Sequence, residues 1–500
     1  MSIRNKILKD VSLFSVSSYI VQFIAVMKGF IAAKLLGPQV MGYWAALMLI
    51  YTYGICIHFG ILDGMNRTVP YLRGKGDLAG AELKKDTAFT FTIVNALAFL
   101  LIILVISFNK NGSLSDKLGL MCMGVSIPLY QIYNYYICLN RFRSRFKVVS
   151  LVQVILPIIE LSLIIAFVAS LKIEALYVGF IGSYVVGIIV LFTKTDERYK
   201  FNFDRKSWIE MAKNGLPIFI SSFVFIAIST ADKLIIARYL PSSDMGYYSF
   251  AVQLNAIIFS LSTSVTSIVY IKMLERYGEK GSISSLWMHL HVPTMLLATF
   301  NIICIGGVLF CLNIFIPIFL PLYVPSIPLF KMLSMGWYFM ALTTVTGAFL
   351  VTINEQVKAL FIQSIIVPFV FIFGYAAVKL KMGITGISIT TSSCYFLYAS
   401  ILIMFAYRKQ ARHINSAMVS LFKNVYLASI VGFIAIILLD TLSLGKGTSV
   451  FQNTFVNVLR FVVLCMVLSP FIINIERKIN LFSMIASGIS KYFVPAKTLG

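Results

Sequence analysis

About fourteen apolar runs follow one another along the chain of 500 residues, separated by short polar stretches. Each is about 20 residues long, the length an α-helix needs to cross a ~30 Å hydrocarbon core. A backbone N–H or C=O has no water partner in that core, so every run must be helical. The runs span approximately 11–36, 41–62, 87–107, 118–139, 148–170, 174–193, 214–240, 245–271, 288–311, 328–352, 359–378, 383–406, 423–442 and 453–474. Apolar residues make up 59% of the chain and charged ones only 12%, against roughly 25% charged in a soluble domain. No polar block is long enough for a separate soluble domain. The expected fold is an all-α polytopic membrane protein with about 14 transmembrane helices.

The net charge of +23 would suit a nucleic-acid partner if the basic residues were clustered. They are instead spread through alternate loops, where they set topology. With the amino terminus placed in the cytoplasm, 30 Lys and Arg fall in inner segments and 9 in outer segments or outer helix ends. That bias predicts both termini inside the cell and an even number of crossings. The first run, 11–36, is too long for the apolar region of a signal peptide and lacks a following small-residue cleavage site.

The longest inner connection, 194–213, is charged and reads as a linker between halves. A repeat supports the division. Ala33–Trp44 (AKLLGPQVMGYW) and Ala237–Tyr248 (ARYLPSSDMGYY) align without gaps at an offset of 204, with identity at Ala33, Leu36, Met41, Gly42 and Tyr43. Each bridges the first and second runs of its half. An even number of crossings per half makes the repeats parallel, an arrangement some transporters use; convergent turn chemistry is the alternative. The expected organisation is residues 1–200 as an amino-terminal lobe, 201–412 as a carboxy-terminal lobe, and 413–500 as two accessory helices with a cytoplasmic tail.

The Lys34–Trp44 hairpin, the polar exit Asp63-Gly64-Met65-Asn66-Arg67, and the echo in Asp232-Lys233 and Met245-Gly246-Tyr247-Tyr248 resemble the pattern of Wzx-type polysaccharide flippases. These are the O-antigen repeat-unit exporters of the multidrug/oligosaccharidyl-lipid/polysaccharide superfamily. The resemblance covers the whole chain in span number, halves and topology. It implies two pseudo-symmetric six-helix lobes around a central cavity, with the last two helices accessory. It also implies export of an undecaprenyl-diphosphate-linked oligosaccharide across the bacterial inner membrane by alternating access, driven by a proton or sodium gradient. The expected partners are that lipid-linked oligosaccharide, membrane lipids and other polysaccharide-assembly membrane proteins, with no nucleic acid.

Ionisable residues inside crossings are costly and become functional candidates by default. Lys28 lies eight residues before the end of the first run, or ~12 Å along a helix, too deep to snorkel easily. It is a candidate phosphate ligand; a helix-packing ion pair is the alternative. The same run carries Ser15, Ser18, Gln22 and Gly29 as a polar or small stripe. At the repeat offset Lys28 aligns with Asp232, which suggests that these two pair in one state and separate when phosphate enters. Asp232 could also merely neutralise Lys233 or Arg238. Glu160, three residues after Pro157, is a candidate proton or cation coupling site, with Asp232 as a second. Arg67 could meet the diphosphate on entry, or simply set topology. Arg460, deep in the last run, could bind a lipid headgroup or pair with a neighbour. Gln131, Asn134 and Asn95, and the face Ser249, Gln253, Ser260, Ser264 and Ser267, could hydrogen-bond sugars. Trp44, Tyr51 and Tyr53 could stack sugars or anchor the interface.

The seven cysteines all lie in apolar stretches without a close ligand pair and read as small buried hydrophobes. The four histidines, His58, His289, His291 and His413, are scattered. No HExxH, P-loop or other enzyme signature is present, so no cofactor and no enzymatic activity are expected. A multidrug or cation antiporter of the same superfamily is the alternative transporter. A membrane polysaccharide polymerase or ligase would need a sizeable outer loop that the sequence lacks.

Overall fold

The computed structural model describes residues 3–143, 145–195, 199–410, 414–441 and 450–479, with side chains in the first helix described from Ile20 onward. His413, the side chains of Ser15 and Ser18, and the tail beyond residue 479 lie outside the described residues. No strand occurs among those that are described. The helices are α1 (Ile3–Gly54), α2 (Ile61–Gly74), α3 (Leu78–Asn109), α4 (Leu114–Phe142), α5 (Phe146–Leu171), α6 (Glu174–Lys194), α7 (Arg205–Tyr239) and α8 (Ser242–Lys280). There follow α9 (Trp287–Phe319), α10 (Ser326–Thr352), α11 (Gln356–Lys379), α12 (Gly383–Gln410), α13 (Ile414–Leu421), α14 (Leu427–Thr441) and α15 (Val450–Ile479).

Eleven of these segments are long and apolar enough to cross a membrane. Three further crossings bring the number to the expected fourteen. A break at Gly37 divides α1 into two limbs. Helix α4 has 29 residues, long enough to cross but more polar. The segment α13–α14 is continuous through a π-helical turn, Phe422–Tyr426.

The breaks follow from local chemistry. Gly37 takes a left-handed φ of 75°, open to glycine at little cost, and Pro38 starts the next limb where its missing N–H is not needed. At the aligned place in the repeat, α7 stops at Tyr239 and α8 begins at Ser242, with Pro241 between them. The second limb of α1 ends in a 3-10 turn, Ile55–His58, followed by left-handed Phe59 and Gly60. Carbonyls freed by such a turn need partners inside the bundle. Gln131 Nε2 donates to the Ile55 carbonyl at 2.8 Å, and Asn95 Nδ2 to the Ile57 carbonyl at 3.4 Å.

The chain divides into two compact units, with the boundary inside α8 between Ser249 and Phe250. In the first unit the two repeat hairpins touch backbone to backbone. A Cβ on Gly42 would lie 1.6 Å from the Ser242 carbonyl oxygen, and one on Gly246 would lie 2.0 Å from that of Pro38. At the offset of 204, Pro38 matches Ser242 and Gly42 matches Gly246. The two clashes are therefore one contact seen from both sides of a pseudo-twofold axis, the signature of an isologous pairing. A second close approach joins α2 to α7: a Cβ on Gly64 would lie 2.1 Å from the Met211 oxygen, and one on Gly215 would lie 1.9 Å from that of Gly60. Small residues allow this approach where no hydrophobic force drives helices together.

The connection after α6 is tied down rather than loose. Lys200 N donates to Asp86 Oδ1 (3.1 Å), Asn202 N to Thr90 Oγ1 (3.0 Å) and Asp204 N to Thr87 Oγ1 (3.1 Å). Tyr199 stacks on Phe89 with ring centroids 3.8 Å apart. Asp204 then caps α7 by accepting from Ser207 N, a bond that holds its carboxyl below the usual carboxylate range. Lys84 pairs with Glu210 at 2.5 Å.

In the second unit α10 is the most enclosed helix, packed on α9 and α12. The accessory pair docks on α9, with Gly306 against Leu464 and Gly432 against Ile302. Asp440 fastens α14 by accepting from Lys331 Nζ (2.7 Å) and Asn313 Nδ2 (2.9 Å).

Because the hairpin contact is backbone on backbone, it cannot relax by a rotamer change. Gly42→Ala is expected to lower the melting temperature measured in detergent, at a cost in the overpacking range of about 1–3 kcal/mol or more. Gly347→Ala, in a helix with nothing within 4 Å of the added carbon, is expected to be neutral or to stabilise by up to about 1 kcal/mol. Equal melting temperatures for the two variants would refute the contact.

Candidate functional site

Helix α5 carries Gln153, Leu156, Pro157 and Glu160 at spacings of three, four and seven, which places them on one face. That face lines a cavity of about 380 Å³ in the first unit, completed by Val21 and Gln22 from α1, Tyr133 from α4, and Phe180, Ser183 and Tyr184 from α6. Proline has no N–H, so Pro157 cannot donate to the carbonyl four residues back, which belongs to Gln153.

Lys28 reaches this site. Its Nζ lies 2.7 Å from Glu160 Oε2, with the lysine side chain 28% exposed and the glutamate 11%. The expected pairing of Lys28 with Asp232 is not what the structure contains. Asp232 is buried on α7 and has its own donors: the Tyr248 hydroxyl to Oδ2 and Lys233 N to Oδ1 at 2.7 Å. The repeat thus places opposite charges at matching positions and gives them different partners. The reason is α5, which offers a carboxylate to α1, while the position in α11 that matches Glu160 is Phe371.

Aromatic residues wall one side. The Tyr51 hydroxyl lies 2.7 Å from that of Tyr184. Tyr184 packs edge-on against Tyr133 (centroids 5.6 Å), Phe180 (5.4 Å) and Tyr130 (6.0 Å). Trp44 stands in the same cluster, edge-on to Phe180 at 5.6 Å, so it packs inside the unit rather than serving as an isolated anchor. Tyr53 bonds to Thr230 Oγ1 at 2.8 Å, joining α1 to α7.

The remaining candidates are dispersed. Gln22 and Glu160 line the cavity. Asn134 is half-buried on α4 beside Tyr133, Lys233 is half-buried, and Arg67 is exposed on α2. Gln253 is exposed on α8, in the second unit. Gln131 and Asn95, expected to meet sugars, instead satisfy the broken helix at Ile55–His58. On α8, Ser260, Ser264 and Ser267 donate to carbonyls of their own helix. Arg460 bonds to Asn457 Oδ1 within α15 at 3.2 Å. Among the described residues no cluster of His, Cys, Asp or Glu is arranged to hold a metal, and all seven cysteines are free. Gln153, Tyr133, Phe180, Ser183 and Tyr184 were not anticipated as one site. Two signals in the sequence pointed there: the shared face from Gln153 to Glu160, and the triplet Phe180, Ser183 and Tyr184.

A family model described as "Polysaccharide biosynthesis protein" matches residues 31–282. No curated protein matches the sequence. Among solved structures, the chain is similar to the lipid II flippase MurJ in an inward closed conformation. The identity is 14%, over 92% of this chain and 99% of that one, with a TM-score of 0.71. It is also similar to an inward-facing multidrug resistance MATE family transporter of the MOP superfamily, at 13% identity over 81% of this chain and 99% of that one, with a TM-score of 0.66. A MOP superfamily transporter from Pyrococcus furiosus, whose binding pocket is described as reversed in polarity, gives 13%, 82%, 96% and 0.54 respectively. At these identities the likeness establishes a shared fold.

An ion pair with one side nearly buried is costly to break by halves, because the remaining charge loses its partner. Glu160→Leu and Lys28→Met are each expected to destabilise, by less than the roughly 3–5 kcal/mol of a fully buried pair, since Lys28 is partly wet. The exchange Lys28→Glu with Glu160→Lys is expected to recover most of that loss in thermal melts, whereas Lys28→Asp with Asp232→Lys is not. Recovery by the second exchange and not the first would mean that the pairing has been assigned to the wrong residue.

Proposed function

The chain belongs to the polysaccharide biosynthesis protein family, and on that premise we propose that it is a flippase for undecaprenyl-diphosphate-linked oligosaccharide repeat units. It works across the bacterial inner membrane by alternating access, with both termini cytoplasmic. The fold shared with a lipid flippase supports the transport class, and the 30-to-9 division of basic residues supports the orientation.

The observation that carries the mechanism is the Lys28–Glu160 pair at the wall of the first unit's cavity. A diphosphate is a stronger partner for an ammonium than a single carboxylate is. When it takes Lys28, Glu160 is left as a lone, nearly buried carboxylate, which must acquire a cation or a proton. Substrate entry and ion uptake are thereby linked at one ion pair. Each charge moved through a potential of 100 mV supplies about 2.3 kcal/mol, enough to bias a two-state transporter strongly. Lys28 holds the phosphate, Glu160 couples the ion, and Arg67 offers a first contact at the surface of α2. Asp232, with its neighbour Lys233, serves as a second charged position on α7. Asn134, on α4 beside the cavity residue Tyr133, meets the glycan. Cation export fits less well, because the carboxylate a cationic drug would need is already neutralised by lysine. The protein performs no bond chemistry of its own in this reading, and O-antigen is the cargo class that the resemblance of the first hairpin favours.

The direct test measures the sidedness of lipid-linked oligosaccharide in cells lacking this protein and any redundant exporter. The intermediate is expected to accumulate on the inner leaflet; normal arrival at the outer leaflet would end the flippase reading. In proteoliposomes, Glu160→Gln is expected to make transport insensitive to an imposed gradient while tightening binding of the lipid diphosphate, since Lys28 is released. Weaker binding in that variant would show that the two anions do not compete for the lysine.

A further inference from the structure

We infer that the cavity in the first unit is a subsite for one sugar ring of the cargo, separate in chemistry from the phosphate position at Lys28. The inference rests on the flippase reading and assigns a part of the substrate to a place in the fold.

Four observations converge. At about 380 Å³ the cavity falls at the low end of the roughly 300–1,000 Å³ of small-molecule sites, the size of a single ring with its hydroxyls rather than an oligosaccharide. Its charge is cancelled, because Lys28 closes on Glu160, so a neutral guest suits it better than a second anion. Its polar groups are those that read hydroxyls. Among the described residues, Gln153 makes no hydrogen bond within the protein, and neither does the Tyr133 hydroxyl. Glu160 spends one oxygen on Lys28 and has a second to offer. An amide donates and accepts, a phenol does both, and a carboxylate accepts from two neighbouring hydroxyls. Finally, one wall is aromatic. Tyr184 stands edge-on to both Tyr133 and Phe180, and the electron-rich face of such a ring attracts the C–H face of a pyranose.

The pieces come from four helices, α1, α4, α5 and α6. A guest that bridges them would report its presence to Lys28 through Glu160. Recognition of the sugar and release of the lysine would then be successive events at one place. A site that hydrogen-bonds a substrate hydroxyl rejects an analogue without it far more strongly than an apolar pocket rejects a missing methylene. Such a subsite would set which glycan is exported.

The test compares binding of undecaprenyl diphosphate carrying a single glucose, galactose or N-acetylglucosamine with binding of undecaprenyl diphosphate carrying no sugar. The protein is the full chain in nanodiscs. Wild type is expected to prefer at least one glycosylated lipid by roughly tenfold or more. Gln153→Ala and Tyr133→Phe are each expected to bring that ratio down severalfold, and Ser183→Leu, which fills the cavity, to bring it close to one. Tyr133→Phe removes a single oxygen and keeps the ring, so it serves if the larger changes fail to fold. An unchanged ratio in every variant that folds, or no preference in wild type, would overturn the subsite while leaving the flippase reading intact. Failure of wild type to bind any of the four lipids would overturn both.

Discussion

Hydrocarbon offers no hydrogen bond, and that constraint shapes every interruption in this fold. An unbroken helix satisfies itself. A broken one exposes carbonyls that must find a donor inside the protein. The 3-10 turn at Ile55–His58 is permitted because Gln131 and Asn95 reach across from α4 and α3. The turns at Gly37 and Pro241 sit where the two hairpins press backbone to backbone. Pro157, which cannot donate within its helix, lies on the face of α5 that lines a cavity.

Charge follows the same logic. A lysine and a glutamate within the bundle are tolerated because they face each other at 2.7 Å. The price of that arrangement is conditional: either ion alone is costly, so anything that claims one of them changes the state of the other. Asp232, held by Tyr248 and by Lys233 N, is instead buried within a local network of its own.

Pseudo-symmetry explains the scaffold but not the site. Gly42 with Ser242, and Gly246 with Pro38, form a reciprocal contact between positions 204 residues apart, the offset at which the two hairpin sequences align. The chemistry has been placed on one copy: Glu160 has no acidic counterpart, and the position matching Lys28 is an acid.

Much of this was legible in the residues. Length and hydropathy require a many-helix bundle, because twenty apolar residues have one stable conformation in lipid. Gly37-Pro38 and Pro241 mark the turns because their backbone preferences are intrinsic. The Met-Gly-Tyr echo reveals the repeat, and Lys28 and Glu160 declare themselves by being charged where charge is expensive. The partners of those groups were decided elsewhere. Whether Lys28 meets Glu160 or Asp232 depends on which helix stands beside α1 and how it is rotated about its axis, and no local pattern specifies a neighbour. For the same reason Gln131 and Asn95, polar enough to contact a sugar, are consumed by a helix break, and Gln153, which looked like half of a repeat signature, faces the cavity. The sequence by itself determined the helices, their breaks and the cost of each buried charge. Only the tertiary structure decided which charges meet and where space is left between them, because those depend on packing among helices far apart in the chain.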